Sequence, residues 1–237
     1  MISPSWSAAS RERLPAASGA RFSVSGSGRR GRAFGRGGDL SPERLLTAYA
    51  QGIFPWYSEN MPILWWSPDP RLILEPGRLH VPARLERILR RGRFSFSLDT
   101  AFERVISSCA DVPRPGASGT WIVPEMIAAY CNLHRLGFAH SMEVWEEGEL
   151  VGGVYGLALG RAFFGESMFF LRPEASKAGL VTLVRALERS GFSLIDCQQT
   201  TAHMTRFGGF EVSRQEFLRR LDEALAGSSL RGPWTLE

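Results

Sequence analysis

A mixed α/β fold with a largely antiparallel sheet is what this sequence predicts, and three observations carry it. Apolar residues recur at helical spacing in several segments, separated by short β-prone runs. The stretch "AHSMEVWEEGELVGGVYGLALGRAFFGESMFFL" reads as three consecutive strands, with turn signals at "EEGE" and "LGRA". A helical segment and one more strand-like segment follow it, so a meander is continued by a helix and a further strand.

Taken in order, residues 1–36 are rich in Ser, Gly, Ala and Arg, with too little periodic hydrophobicity to offset their ordering entropy, and are expected to be a disordered tail. In "GGDLSPERLLTAYAQGIFPW", Ser41 is placed to cap a helix that starts at Pro42, carries Leu45, Leu46 and Tyr49 on one face, and stops at Gly52. The segment "GIFPWYSENMPILWWSPDPR" combines many aromatics with Pro, Asp and Ser, and its backbone reads as loop. "RLILEP" is a short strand, "VPARLERILRRGR" a helix with Pro82 near its start, "FSFSLD" a strand and "TAFERVISSCA" a helix. The Pro/Gly segment "VPRPGASGT" is a loop; then Met126, Ile127, Tyr130, Leu133 and Leu136 mark a helix ending before Gly137. After the meander come a helix in "EASKAGLVTLVRALERSG", a short buried strand in "FSLIDCQQ" and a closing helix in "QEFLRRLDEALAG". The expected division is a tail over 1–36, a small N-terminal domain over 37–95 and a larger domain over 96–237.

Composition narrows the function classes. No apolar run approaches the roughly 18 residues of a membrane span, so no membrane partner is expected. Cys109, Cys131 and Cys197 are far apart and odd in number, which gives neither a disulfide framework nor a zinc site and fits a reducing cytoplasm. His134, His140 and His203 lack metal-ligand spacing and read as structural hydrogen-bonders, so no metal is expected. A net charge of +4 points only weakly to a polyanionic partner. All but one of the 28 basic residues are arginines, the exception being Lys177.

The ordered set "GGDLSPERLLTAYAQGIFPW", "ILWWSPDPR", "GTWI", "LHRLGFAHSMEVWEEGELVGGVYGLALGRAFFGESMF", "ASK" and "LIDCQ" resembles the leucyl/phenylalanyl-tRNA–protein transferase family from about Gly37 to Leu225. The resemblance implies a small N-terminal domain followed by an acetyltransferase-like domain that uses neither acetyl-CoA nor any other cofactor. It implies a cytoplasmic enzyme that moves Leu, Phe or sometimes Met from aminoacyl-tRNA to an acceptor protein whose N-terminal residue is Arg or Lys, creating an N-end rule degradation signal. Two other classes stay open: an acetyl-CoA-dependent N-acetyltransferase, although no Gly-rich Q/RxxGxG-like signature is present, and a noncatalytic tRNA-binding module. The chain departs from the family pattern at "GRRGRAFGR", at Phe170-Leu171 and in "QTTAHMTRFGGF".

Aminolysis of an ester requires a neutral amine, a positioned carbonyl and a stabilised oxyanion. Asp196 and Gln198, two residues apart on a strand, share a face. The resemblance makes them a catalytic relay, with Gln198 on the amine and Asp196 polarising or orienting it; spacing alone fits an Asp that satisfies a backbone group. Glu166 is a carboxylate in an apolar strand expected beside "LIDCQ", and so needs a partner or a task. It is the third catalytic candidate, facing the amine or the terminal ribose; the alternative is an edge-strand Glu reaching solvent. Phe163 and Met168 are expected to line an apolar hole for a Leu or Phe side chain, with Tyr130 as a further substrate-binding candidate. Trp66 and Trp121 are candidates for stacking on the terminal adenosine, whereas Trp56 and Trp65 read as cement between the two domains. Arg84, Arg87, Arg90, Arg91 and the nearby Arg93 form a candidate grip on acceptor-stem phosphates, or a solvated charged face. Lys177, at a helix start, suits a phosphate at the helix N-terminus.

Overall fold

The structure, a computed structural model, describes residues 11–12, 34–112 and 120–236. In chain order the elements are β1 (Arg11–Glu12), β2 (Gly35–Arg36), α1 (Pro42–Ala50), β3 (Phe54–Pro55), β4 (Leu64–Trp66), β5 (Arg71–Leu74), a short 3-10 helix (Pro76–Arg78), α2 (Ala83–Arg90), β6 (Ser95–Leu98) and α3 (Phe102–Asp111). They continue with α4 (Pro124–Arg135), β7 (Ala139–Glu146), β8 (Glu149–Leu159), β9 (Ala162–Phe170), α5 (Ala175–Arg189), β10 (Leu194–Gln198), α6 (Ala202–Arg206), β11 (Phe210–Val212), α7 (Arg214–Leu225) and β12 (Ser229–Leu230).

Seven strands form one sheet in the order β11-β5-β10-β9-β8-β7-β6. The expected meander is β7, β8 and β9, paired antiparallel. The single parallel pair among the described strands is β9 with β10, and α5 supplies the crossover that a parallel connection needs. Side chains alternate between two cores along each strand: Phe164 and Ile73 face a core built with α1, α3, α4 and α7, while Phe163, Leu72 and Leu74 face one built with α2 and α5. Both faces are therefore covered, and β8 is buried along nearly its whole length. One strand from the segment 37–95, β5, belongs to this large sheet, and β6 begins at the segment's last residue.

The tryptophan-rich segment is not all loop. Its Phe54–Pro55 and Leu64–Trp66 form short strands that join Gly35–Arg36 in a second sheet, order β2-β4-β3, with the Phe34 N–H donating to the Trp65 carbonyl at 2.6 Å. Prolines and a turn keep these strands to two or three residues, which hid their period. Order thus begins before Gly37. The expected tail otherwise lies outside the described residues, except that Arg11–Glu12 pair with Leu230 and Ser229; most of the loop "VPRPGASGT" lies outside them as well.

One local expectation changes, and two further local features come from the structure alone. Ser41 occupies the N-cap of α1, but its side chain caps nothing; its backbone N–H donates to Asp39 Oδ1 at 2.9 Å. The segment "QTTAHMTRFGGF" contains α6 and β11, α6 being capped by Thr201 Oγ1, which accepts from the Met204 N–H at 3.2 Å. Gly156 permits close packing in the middle of β8, where a Cβ would fall 2.3 Å from the Phe164 carbonyl oxygen and 2.5 Å from the Phe163 ring.

Candidate active site

Two bulges on neighbouring strands build the site. Between β8 and β9 the register runs from Tyr155 opposite Ser167 to Gly156 opposite Gly165, leaving Glu166 as the extra residue. Between β10 and β5 it runs from Asp196 opposite Ile73 to Gln198 opposite Leu72, leaving Cys197 extra, and Gln198 takes a left-handed φ of 62°. These irregularities aim Gln198 at Glu166, and Gln198 Nε2 donates to Glu166 Oε1 at 3.0 Å.

Glu166 also accepts from Tyr49 of α1 at 2.7 Å and from Tyr130 of α4 at 3.3 Å, the two phenol oxygens being in mutual contact. Burial pushes its carboxyl up to about 7; the charge of Asp196 adds to the rise, while the tyrosine hydrogen bonds and Arg71 oppose it. Both tyrosine hydroxyls are pushed well above their ordinary range, by burial first and then by the charge of Glu166. They are hydrogen-bond donors and not anions near neutral pH.

Asp196 meets a different partner. Arg71 Nε and Nη2 donate to its two carboxylate oxygens at 2.8 and 2.6 Å, with both side chains sealed from solvent. The guanidinium also donates to the Gly52 carbonyl at 3.2 Å and lies over the rings of Phe54 and Phe217. Asp196 Oδ1 then accepts from the backbone N–H of Gln198 at 2.8 Å, which fixes the bulge. Asp196 thus reaches the site through the backbone of Gln198.

A cavity of about 540 Å³ opens on Glu166 and Gln198. Phe163, Leu183 and Leu187 form buried parts of its wall, with Met168 beside them, and Trp56 and Phe170 stand at its solvent edge. The lining is mainly apolar, with a polar side that holds Lys177 and His203. Burial, with Lys177 and Arg206 nearby, pushes the His203 imidazole down, so it stays neutral at pH 7. Lys177 Nζ donates to Glu174 at 3.0 Å.

Residues 73–222 match the family model described as leucyl/phenylalanyl-tRNA protein transferase, and residues 38–69 match the model of that family's N-terminal domain. The chain belongs to the leucyl/phenylalanyl-tRNA–protein transferase family. Relatives bearing that name include one from an Anaeromyxobacter species, 63% identical over 85% of this chain and 86% of its own length. Another from Oleidesulfovibrio alaskensis is 60% identical over 84% of this chain and 83% of its own, and one from Myxococcus xanthus is 57% identical over 84% and 85%. Among solved structures, L-PGS from Bacillus licheniformis overlays 83% of this chain and 64% of its own at 10% identity and a TM-score of 0.39. A GCN5-related N-acetyltransferase from Kribbella flavida overlays 82% and 62% at 13% identity and a TM-score of 0.35.

Of the residues singled out in the sequence, Glu166, Gln198, Phe163, Met168, Trp121 and Lys177 line the cavity of this family member. Tyr130 is fully buried and supports Glu166 from behind. Trp66 lies outside the lining: its indole N–H donates to the Trp56 carbonyl at 2.6 Å and its ring meets Trp56 edge-on at 5.9 Å. The lining residue is Trp56, which the sequence suggested as cement, whereas Trp65 is indeed buried, at 1% exposure. Arg84, Arg87, Arg90 and Arg91 are exposed on and just after α2, away from the cavity lining, while Arg93 pairs with Glu146 at 2.7 Å.

Sequence reasoning missed the parts played by Tyr49, Arg71 and Trp56. Tyr49 fits the apolar face of α1 and does pack there; only its neighbours show that its hydroxyl ends on a carboxylate. The one signal for Arg71 was an arginine opening a strand whose next three residues are all apolar. Among the described residues, no cluster of three or more His, Cys, Asp or Glu side chains is arranged to hold a metal ion, and no helix is long and apolar enough to cross a membrane.

Proposed function

We propose that this chain joins Leu, Phe or Met from aminoacyl-tRNA to the α-amine of a protein beginning with Arg or Lys, with Glu166 as the group that receives the proton. One observation carries the reading: a partly buried carboxyl whose pKa is pushed up to about 7 stands at the wall of an apolar cavity, held by two phenols and an amide. A base poised near working pH suits removal of a proton from an ammonium or amine.

In this reading the amino-acid side chain occupies the hole formed by Phe163, Met168 and α5, and the terminal adenosine lies against Trp56 and Trp121. The acceptor nitrogen attacks the ester carbonyl carbon, a C–N bond forms and the C–O bond to the ribose breaks. One amine proton passes to Glu166 and on to the leaving ribose oxygen. Gln198 holds the amine or the carbonyl in line, and Asp196 with Arg71 holds Gln198. Because the ester is already activated, positioning supplies much of the acceleration.

The exposed arginines of α2 support a further part of the reading, engagement of acceptor-stem phosphates. The small N-terminal domain contributes the Trp56 wall and Tyr49, and the reaction belongs in the cytoplasm, where its product serves as an N-end rule signal. The deciding experiment incubates the protein with labelled Phe-tRNA and a peptide beginning with Arg. Transfer of label to the peptide is expected; acetyl transfer from acetyl-CoA, or tRNA binding without transfer, overturns the reading.

A further inference from the structure

The chain beyond residue 222, where the match to the family model ends, returns to the back of the cavity. Ser229 Oγ accepts from the Gly160 N–H at 2.8 Å, and Arg231 donates to the Leu136 carbonyl at 3.1 Å. Gly232 passes so close to Gly137 that a Cβ there would lie 2.3 Å from its nitrogen. Trp234 follows in this segment and is 2% exposed.

Trp234 is fixed from several sides. Its backbone N–H donates to Asp99 Oδ2 at 2.6 Å, and the same oxygen meets His140 Nδ1 at 2.8 Å. Its ring stacks on His140 at 3.6 Å and 5°, with Phe192 edge-on at 5.8 Å and Phe163 at 6.3 Å. Phe163 lines the cavity, and its ring packs directly on the backbone of Gly156 in β8, where a Cβ would fall 2.5 Å from it. The Phe163 ring is thus packed against both Gly156 and Trp234.

We propose that Trp234 is a specificity-determining positioning residue: by backing Phe163, the C-terminal segment sets the depth of the hole that measures the transferred amino-acid side chain. The proposal rests on the aminoacyl-transfer reading above. A close-packed wall discriminates by volume, because a void behind Phe163 lets its ring tilt away and the hole deepen. Loss of the indole thus favours Phe over Leu, since Leu no longer fills the space.

The test measures kcat/KM for Phe-tRNA and Leu-tRNA with an Arg-initiated peptide in Trp234→Ala, Trp234→Phe and the parent protein. The Phe:Leu ratio should rise about tenfold in Trp234→Ala and by a smaller factor in Trp234→Phe. Calorimetric binding of the non-hydrolysable amides of phenylalanyl- and leucyl-adenosine should show the same order without any acceptor. If Trp234→Ala fails to fold, Trp234→Leu and Trp234→Phe give the ratio. A ratio within about twofold of the parent in folded variants overturns the proposal, because a purely structural tryptophan lowers both rates alike. A parent protein that transfers neither residue overturns the underlying reading instead.

Discussion

Arg71 grips both carboxylate oxygens of Asp196 inside the protein, and Asp196 in turn receives the backbone N–H of Gln198. Removing one partner of a buried pair leaves the other charge uncompensated, at a cost of about 3 to 5 kcal/mol. Asp196→Asn and Arg71→Met should each lose stability of that order in urea titrations, with the double variant losing less than the sum. Where Asp196→Asn still folds, its saturated transfer rate should fall about 100-fold, because a neutral amide has one acceptor oxygen and cannot hold Arg71 and the Gln198 bulge together as the carboxylate does, while donor affinity changes little. A wild-type rate would detach Asp196 from the chemistry.

Glu166 sets the pH dependence. Burial raises its folded pKa above the ordinary 4.5 to about 7, so between those values the folded protein keeps a proton that the unfolded chain has released. Stability therefore falls as pH rises through that window and is unaffected by this group below it. Glu166→Gln should match the parent at about pH 4 and exceed it by roughly 3 kcal/mol at about pH 8, apart from a pH-independent offset for the altered hydrogen bonds.

In the proposed mechanism the same carboxyl governs rate. Transfer to an Arg-initiated peptide should rise as Glu166 ionises, with a midpoint about 7, beside a second limb near pH 8 from the acceptor amine itself. Glu166→Gln should slow transfer to the peptide, keep tRNA binding and retain only the second limb. A pH profile that keeps both limbs in this variant would remove Glu166 as the proton acceptor.

Trp56 lines the cavity and Trp66 braces it. Trp56→Ala should weaken binding of aminoacyl-tRNA by roughly 1 to 3 kcal/mol, with the saturated rate changed much less. Trp66→Ala should give a smaller loss, and adding it to Trp56→Ala should cost little more, since it acts through the same ring. Independent, additive losses in the double-mutant cycle would show that Trp66 touches substrate itself.

The α2 arginines are exposed and away from the cavity. Replacing Arg84, Arg87 and Arg91 with Gln should weaken tRNA binding and shallow its salt dependence by about one unit of log–log slope for each phosphate no longer neutralised. Binding of phenylalanyl-adenosine amide, which has no acceptor stem, should be unchanged; equal losses for both ligands would mean the helix had been disturbed.

The sheet was legible because burial imposes period and punctuation: the meander, the α5 crossover and the "LIDCQ" strand all leave apolar patterns bounded by turns. Glu166 was legible as a carboxylate out of place in an apolar strand, and its strand was expected beside "LIDCQ", as found. The bulges were not, since a single unpaired residue leaves no compositional mark until both strands are in register. The partnership of Arg71 with Asp196, 125 residues apart, has no local signature either. Trp56 and Trp66 look alike in sequence, and only the pairing of β3 with β4 decides which ring faces the cavity.

Lys177 is the chain's one lysine, and its side chain, 40% exposed, stands on the cavity wall. An amine-directed dye that ignores guanidinium groups therefore has one side-chain target in the protein, already seated where the aminoacyl end of the donor is proposed to lie. With the more acidic α-amine blocked first at lower pH, the enzyme carries one side-chain labelling handle, so occupancy of the cavity can be followed optically, without first engineering a cysteine into a chain that has three.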